Sequence, residues 1–121
     1  MKGPSMNLII NSRKKSETSI VLNIEGEVDV YTSPQLKQEI VNVSKSGVKH
    51  LAINLAKVEY LDSTGLGVLI GGLKRFREVG GNLILIGPNM RIVRIFEITG
   101  LDKIFDIYQT EDEASAKEGV S

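Results

Sequence analysis

Residues 51–79 read LAINLAKVEYLDSTGLGVLIGGLKRFREV, and this stretch decides the fold. Leu51, Ile53 and Leu55 alternate with Ala52 and Asn54, the period of two of a strand with one buried face. Leu66, Leu69, Ile70, Leu73 and Phe76 then recur at helical spacing. That apolar stripe predicts a helix through Val79, with Gly80-Gly81 as its stop. Between strand and helix lies Asp62-Ser63-Thr64-Gly65-Leu66-Gly67. In a parallel sheet such a turn sits at the carboxyl edge, where ligands and modifications gather.

Outward from this unit the pattern repeats. Asn7 to Ile10 reads as a short strand. In Ile20 to Glu25, Ile20, Leu22 and Ile24 point one way and Val21, Asn23 and Glu25 the other. The charged stretch Arg13 to Glu17 between them reads as an exposed hairpin end. Gly26-Glu27-Val28-Asp29 leads toward a helix opened by Thr32-Ser33-Pro34, with Leu36, Ile40 and Val43 on its inner side and Gly47 at its end. Leu83 to Ile86 is a continuous apolar run, which predicts a strand covered on both faces. Asn89 caps a third helix with Ile92, Ile95, Phe96 and Thr99 on one side, closed by Gly100. Ile104 to Ile107 predicts the last strand. Thr110 and Glu113 have capping-box spacing before a terminal helix with only Ala114 and Ala116 to bury, which is expected to fray. Strands alternating with helices after a first hairpin give an α/β fold. The expected sheet is small, mixed and mostly parallel, with an antiparallel N-terminal strand and about four helices. Residues 6–117 form one domain, preceded by an extension over 1–5 and followed by a flexible tail over 118–121.

Composition narrows the function. The chain has 121 residues, 41% hydrophobic and 25% charged, with fifteen basic residues against fifteen acidic ones. A balanced chain lacks the electrostatic footprint of a nucleic-acid or anionic-membrane binder. There is no Cys and one His, which excludes disulfides, thiolate metal sites and His-rich metal sites. No apolar run has the length of a membrane span, and the N-terminus lacks a signal-peptide core. The expected protein is cytoplasmic, monomeric, without cofactor and not an enzyme. Gly65-Leu66-Gly67 and Gly71 miss the dinucleotide fingerprint by one residue, and no Gly-Lys-Ser or Gly-Lys-Thr follows. His50 has no nucleophile elbow to serve. Lys74, Arg75 and Arg77 read as a solvated helix face.

The turn at Asp62 to Gly67 has a plain reading and a chemical one. Plainly, Asp62 or Ser63 caps the helix and the glycines allow close packing. Chemically, a hydroxyl at the positive end of a helix suits phosphorylation. The phosphate meets free amides and a favourable dipole, and it adds about −1.5 to −2 charges at one spot. Asp29 reads by its type and position as a turn or cap carboxylate.

The run Tyr60-Leu61-Asp62-Ser63-Thr64-Gly65-Leu66-Gly67-Val68 resembles the phosphorylation-site signature of the STAS family, in its anti-sigma factor antagonist branch. Gly26-Glu27-Val28-Asp29 with Thr32-Ser33-Pro34, Asn54-Leu55-Ala56-Lys57-Val58 and Thr99-Gly100-Leu101-Asp102-Lys103-Ile104-Phe105 are similar to further segments of that family, in the right order. The resemblance implies a protein that binds an anti-sigma factor, itself an ATP-dependent serine kinase, and so frees a sigma factor. It implies that the kinase phosphorylates Ser63, in preference to Thr64, and that binding is then lost. It implies that a PP2C-type phosphatase resets the switch. It places Asp29, Asp62 and Gly65 around the phosphosite, with Asp29 orienting the Ser63 hydroxyl or contacting the kinase. Tyr31, Thr32, Ser33, Thr64, Leu66, Gly67 and Val68 are the expected partner contacts. Rival readings are a STAS subunit of a stress-signalling scaffold or lipid-transport complex, and a nucleotide-binding sensor.

Overall fold

The computed structural model describes residues 8–118. The expected extension over 1–5, the expected first strand residue Asn7 and residues 119–121 of the expected tail lie outside them. The elements are β1 (Leu8–Lys14), β2 (Ser19–Val28), α1 (Ser33–Ser44), β3 (His50–Leu61), α2 (Ser63–Glu78), β4 (Asn82–Ile86), α3 (Met90–Thr99), β5 (Asp106–Tyr108) and α4 (Glu111–Glu118). The five strands lie in the order β1-β2-β3-β4-β5. β1 is antiparallel to β2, and every later neighbour is parallel. The α/β expectation holds.

Each parallel step runs in the same direction across the sheet, and α1, α2 and α3 pack into one core on one face of it. There Leu22, Ile24, Leu51, Ile53, Leu55, Leu83 and Leu85 meet Leu36, Ile40, Leu69, Leu73, Phe76, Ile92 and Phe96 in one buried core. Phe105 seals its end, edge-on to Phe96 with ring centroids 5.4 Å apart. On the other face, among the described residues, α4 is the helix laid down, through buried Ala114. It covers the starting ends of β2, β3 and β4, where Ser19, His50 and Asn82 stand side by side in register.

Several boundaries differ from the sequence reading. β1 runs on through Arg13 and Lys14, because both pair with β2 opposite Val21 and Ile20. Val21 is fully buried rather than exposed, since it lies at the end that α4 covers. β2 continues past Glu25 to Val28. The register with β3 shifts between Asn23 and Glu25 and again between Gly26 and Glu27. Gly26 takes φ +123° there, a conformation that suits a residue without Cβ. The Asn54 amide donates to Asn23 Oδ1 at 2.9 Å, and its Oδ1 accepts the Ala56 amide at 3.0 Å, which ties the irregular stretch together. Residues 104–105 are not strand. A 3₁₀ turn over Leu101–Lys103 follows Gly100, Ile104 closes it, and the strand starts at Asp106.

Candidate functional site

The two irregularities in β2 deliver Val28 opposite Leu61, the last paired residues of two parallel strands. Beyond them the Asp62 amide donates to the Val28 carbonyl at 3.1 Å. The segments Asp29–Ser33 and Asp62–Thr64 therefore leave the sheet side by side at its carboxyl edge.

Asp62 is the N-cap of α2. Three donors converge on its Oδ1: the Thr64 amide at 3.0 Å, the Gly65 amide at 3.1 Å and the Thr64 hydroxyl at 2.5 Å. The carboxyl is held below its ordinary value. Partial desolvation is the largest single influence and acts upward. Hydrogen bonds from the Thr64 hydroxyl and from the Gly65 and Thr64 amides together outweigh it. Ser63 follows as the first helical residue. It is exposed, and its hydroxyl makes no hydrogen bond among the described residues. The amides expected to be free for a phosphate are thus partly taken: Asp62 holds those of Thr64 and Gly65.

Asp29 is a turn carboxylate. Its Oδ1 accepts the Tyr31 and Thr32 amides at 2.9 Å each. The Thr32 hydroxyl donates to the Glu27 carbonyl at 2.8 Å, accepts the Asp29 amide at 2.9 Å and lies 3.1 Å from Asp29 Oδ1. Thr32 caps the backbone turn rather than α1, where it makes no side-chain cap. Thr32 and Ser33 are buried, so the turn presents Val30 and Tyr31 to solvent, 57% and 63% exposed. The sequence reading passed over Val30. Its signal was the Asp29-x-x-Thr32 spacing, which closes a turn and pushes the two residues between outward.

The glycines of α2 divide into two kinds. A Cβ on Gly65 would stand 2.5 Å from Leu61 Cδ1 and 2.7 Å from Val28 Cγ1, and one on Gly72 would stand 2.9 Å from Leu83 Cδ1. Both are packing glycines. A Cβ on Gly67 or Gly71 would meet nothing within 4 Å. These two, with Thr64, half-buried Val68, Lys37 and Arg75, line a groove of about 510 Å³ between α1 and α2. Leu66 is half-buried against the core. Of the cations weighed in the sequence, Arg77 instead donates to the Ile104 carbonyl at 2.8 Å. His50 lies at the opposite end of the sheet, under α4. Among the described residues no cluster of side chains suits a metal ion, and no helix is long and apolar enough to cross a membrane.

Comparison with known proteins places the arrangement. Residues 10–114 match the family described as STAS domain. The chain is 45% identical over 94 residues to the anti-sigma-B factor antagonist of Bacillus subtilis, covering 78% of this chain and 85% of that one. A crystal structure of an anti-sigma factor antagonist from Mycobacterium paratuberculosis superposes with a TM-score of 0.80 at 30% identity, over 97% of each chain. The anti-sigma factor antagonist SpoIIAA in its unphosphorylated form gives 0.80 at 23% identity, over 93% of this chain and 99% of that one, which speaks for the fold.

Proposed function

The chain belongs to the STAS domain family, and from that premise we propose that it is an anti-sigma factor antagonist switched by phosphorylation of Ser63. Its unmodified form binds an anti-sigma factor that is also an ATP-dependent serine kinase, and so releases a sigma factor. Phosphorylation ends the binding, and a PP2C-type phosphatase restores it. The protein is a regulated binding partner rather than an enzyme, in line with the named function of the relatives it resembles.

The observation that carries this reading is the unbonded, exposed hydroxyl of Ser63 at the start of α2, at the sheet edge where the segment with exposed Tyr31 also leaves. A partner lying along Tyr31, Thr64, Gly67 and Val68 covers that hydroxyl. Thr32 and Ser33 then support the contact from beneath by fixing the turn, and Leu66 does so by anchoring the helix. A phosphate added at the centre of such an interface brings an unpaired double negative charge against a surface fitted to a neutral group. Asp62 adds its own charge beside it.

Intact mass spectrometry with site mapping tests the proposal. Incubated with magnesium ATP and the anti-sigma-B factor of Bacillus subtilis, the chain gains one phosphoryl group on Ser63, and the complex formed without ATP disperses. No gain in mass, or a phosphoryl group at another residue, contradicts the reading.

A further inference from the structure

We propose that Asp62 is the residue that directs phosphorylation to Ser63 and away from Thr64; the inference rests on the kinase reading above and specifies how the site is chosen. Ser63 and Thr64 are adjacent, both are exposed, and both carry a hydroxyl. Exposure and sequence position do not separate them. Their hydrogen bonding does. The Thr64 hydroxyl is committed to Asp62 Oδ1 at 2.5 Å, whereas the Ser63 hydroxyl has no partner among the described residues.

Phosphoryl transfer from ATP forms an Oγ–P bond as the bond from the γ-phosphorus to the ADP oxygen breaks. The hydroxyl proton passes to the kinase's base and ADP leaves. The attacking oxygen must turn a lone pair in line with that breaking bond while its proton faces the base. Ser63 can rotate freely into that geometry. Thr64 cannot do so while its proton is given to Asp62. Turning away breaks a charge-assisted hydrogen bond within the same cap that holds the amides of Thr64 and Gly65. A phosphate formed on Thr64 would also replace a hydrogen-bond donor with a dianion directly against the Asp62 carboxylate. On Ser63 the new charge displaces no existing bond. Asp62 is thus a specificity residue that acts through its neighbour and does not touch ATP.

The test is phosphoamino-acid analysis after reaction with magnesium ATP and the anti-sigma-B factor of Bacillus subtilis, on the full chain. Wild type yields phosphoserine. Asp62→Ala, which frees the Thr64 hydroxyl, raises the ratio of phosphothreonine to phosphoserine at least about tenfold, the scale set by one charge-assisted hydrogen bond. Asp62→Asn keeps an acceptor oxygen at the cap without its charge and gives a ratio between those of wild type and Asp62→Ala. Ser63→Ala takes phosphate on Thr64 at least about tenfold more slowly than Ser63→Ala with Asp62→Ala does. Circular dichroism verifies that each variant is folded. If Asp62→Ala still gives only phosphoserine, or the two Ser63→Ala chains are modified on Thr64 at equal rates, the selection mechanism is overturned while the switch at Ser63 stands. Wild type that takes no phosphate overturns both.

Discussion

Asp62 carries more of the site's geometry than its place before the serine suggests. By accepting two amides it starts α2, and so fixes where Ser63 points. Removing an N-cap carboxylate typically costs about 1 kcal/mol, so Asp62→Ala should lower stability at neutral pH by that order. The pH dependence follows from the direction of its shift. A carboxyl held below its ordinary value adds stability above its unfolded-state pKa, and loses it as pH falls through the folded one. The gap between wild type and Asp62→Ala in urea unfolding should therefore narrow in acid and be full near pH 7. A gap that is constant across that range means that Asp62 acts without its charge. The cap itself was legible from an Asp at a strand-to-helix junction. The Thr64 hydroxyl sharing that cap was not, because a hydroxyl two residues on is equally free to face solvent.

At the scale of elements, α2 has two working sides. Its stripe was readable from periodicity, and Leu69, Leu73 and Phe76 are buried as expected, whereas Leu66 and Ile70 are only half-buried. What periodicity does not tell is which glycines face the sheet, since a glycine has no polarity to declare its side. The structure separates them, and opposite effects follow. Gly67→Ala and Gly71→Ala add a Cβ in open space and relieve a poor helix former, so each should raise stability by up to about 1 kcal/mol. On the proposed interface the same methyl groups hold a partner away, so affinity for the anti-sigma factor should fall as the melting temperature rises. Gly65→Ala and Gly72→Ala should instead lower the melting temperature, because the added atom overlaps core side chains. Tyr31→Ala, at a side chain mostly in solvent, should weaken binding with the melting temperature nearly unchanged. Normal binding by Gly67→Ala, Gly71→Ala and Tyr31→Ala would place the interface elsewhere.

Across the whole molecule the sheet has two distinct ends. The carboxyl edge of β2 and β3 bears the proposed phosphosite, and the starting edge of β2 to β4 is covered by α4. The alternation of strands and helices made the architecture readable, but the docking of α4 was not. It depends on partners almost a chain length apart: Arg13 Nη2 to Glu111 Oε1 at 2.6 Å, and Lys15 Nζ to Ser115 Oγ at 2.7 Å. Of the two alanines that the sequence offered, Ala114 is buried and Ala116 is exposed. The Glu111 carboxyl is held below its ordinary value, first by the hydrogen bond from Arg13, against an opposing desolvation, and further by the charges of Arg13 and Lys15. Its contribution is therefore present at neutral pH and fades in acid, and as a partly exposed pair it is worth at most about 1 kcal/mol. Ala114→Asp should unseat α4 and lower the melting temperature, while the unfolded fraction stays small at 25 °C and affinity for the anti-sigma factor is unchanged. A parallel loss of binding in the folded variant would mean that the two ends are coupled. The proposed switch turns on the charge at Ser63, and titration calorimetry tests it most directly by comparing the unmodified chain with the same chain phosphorylated at Ser63, each against the anti-sigma-B factor of Bacillus subtilis. Like-charge contact at an interface costs several kcal/mol, so the phosphorylated chain should bind at least about a hundredfold more weakly; equal affinity of the two forms would contradict the account.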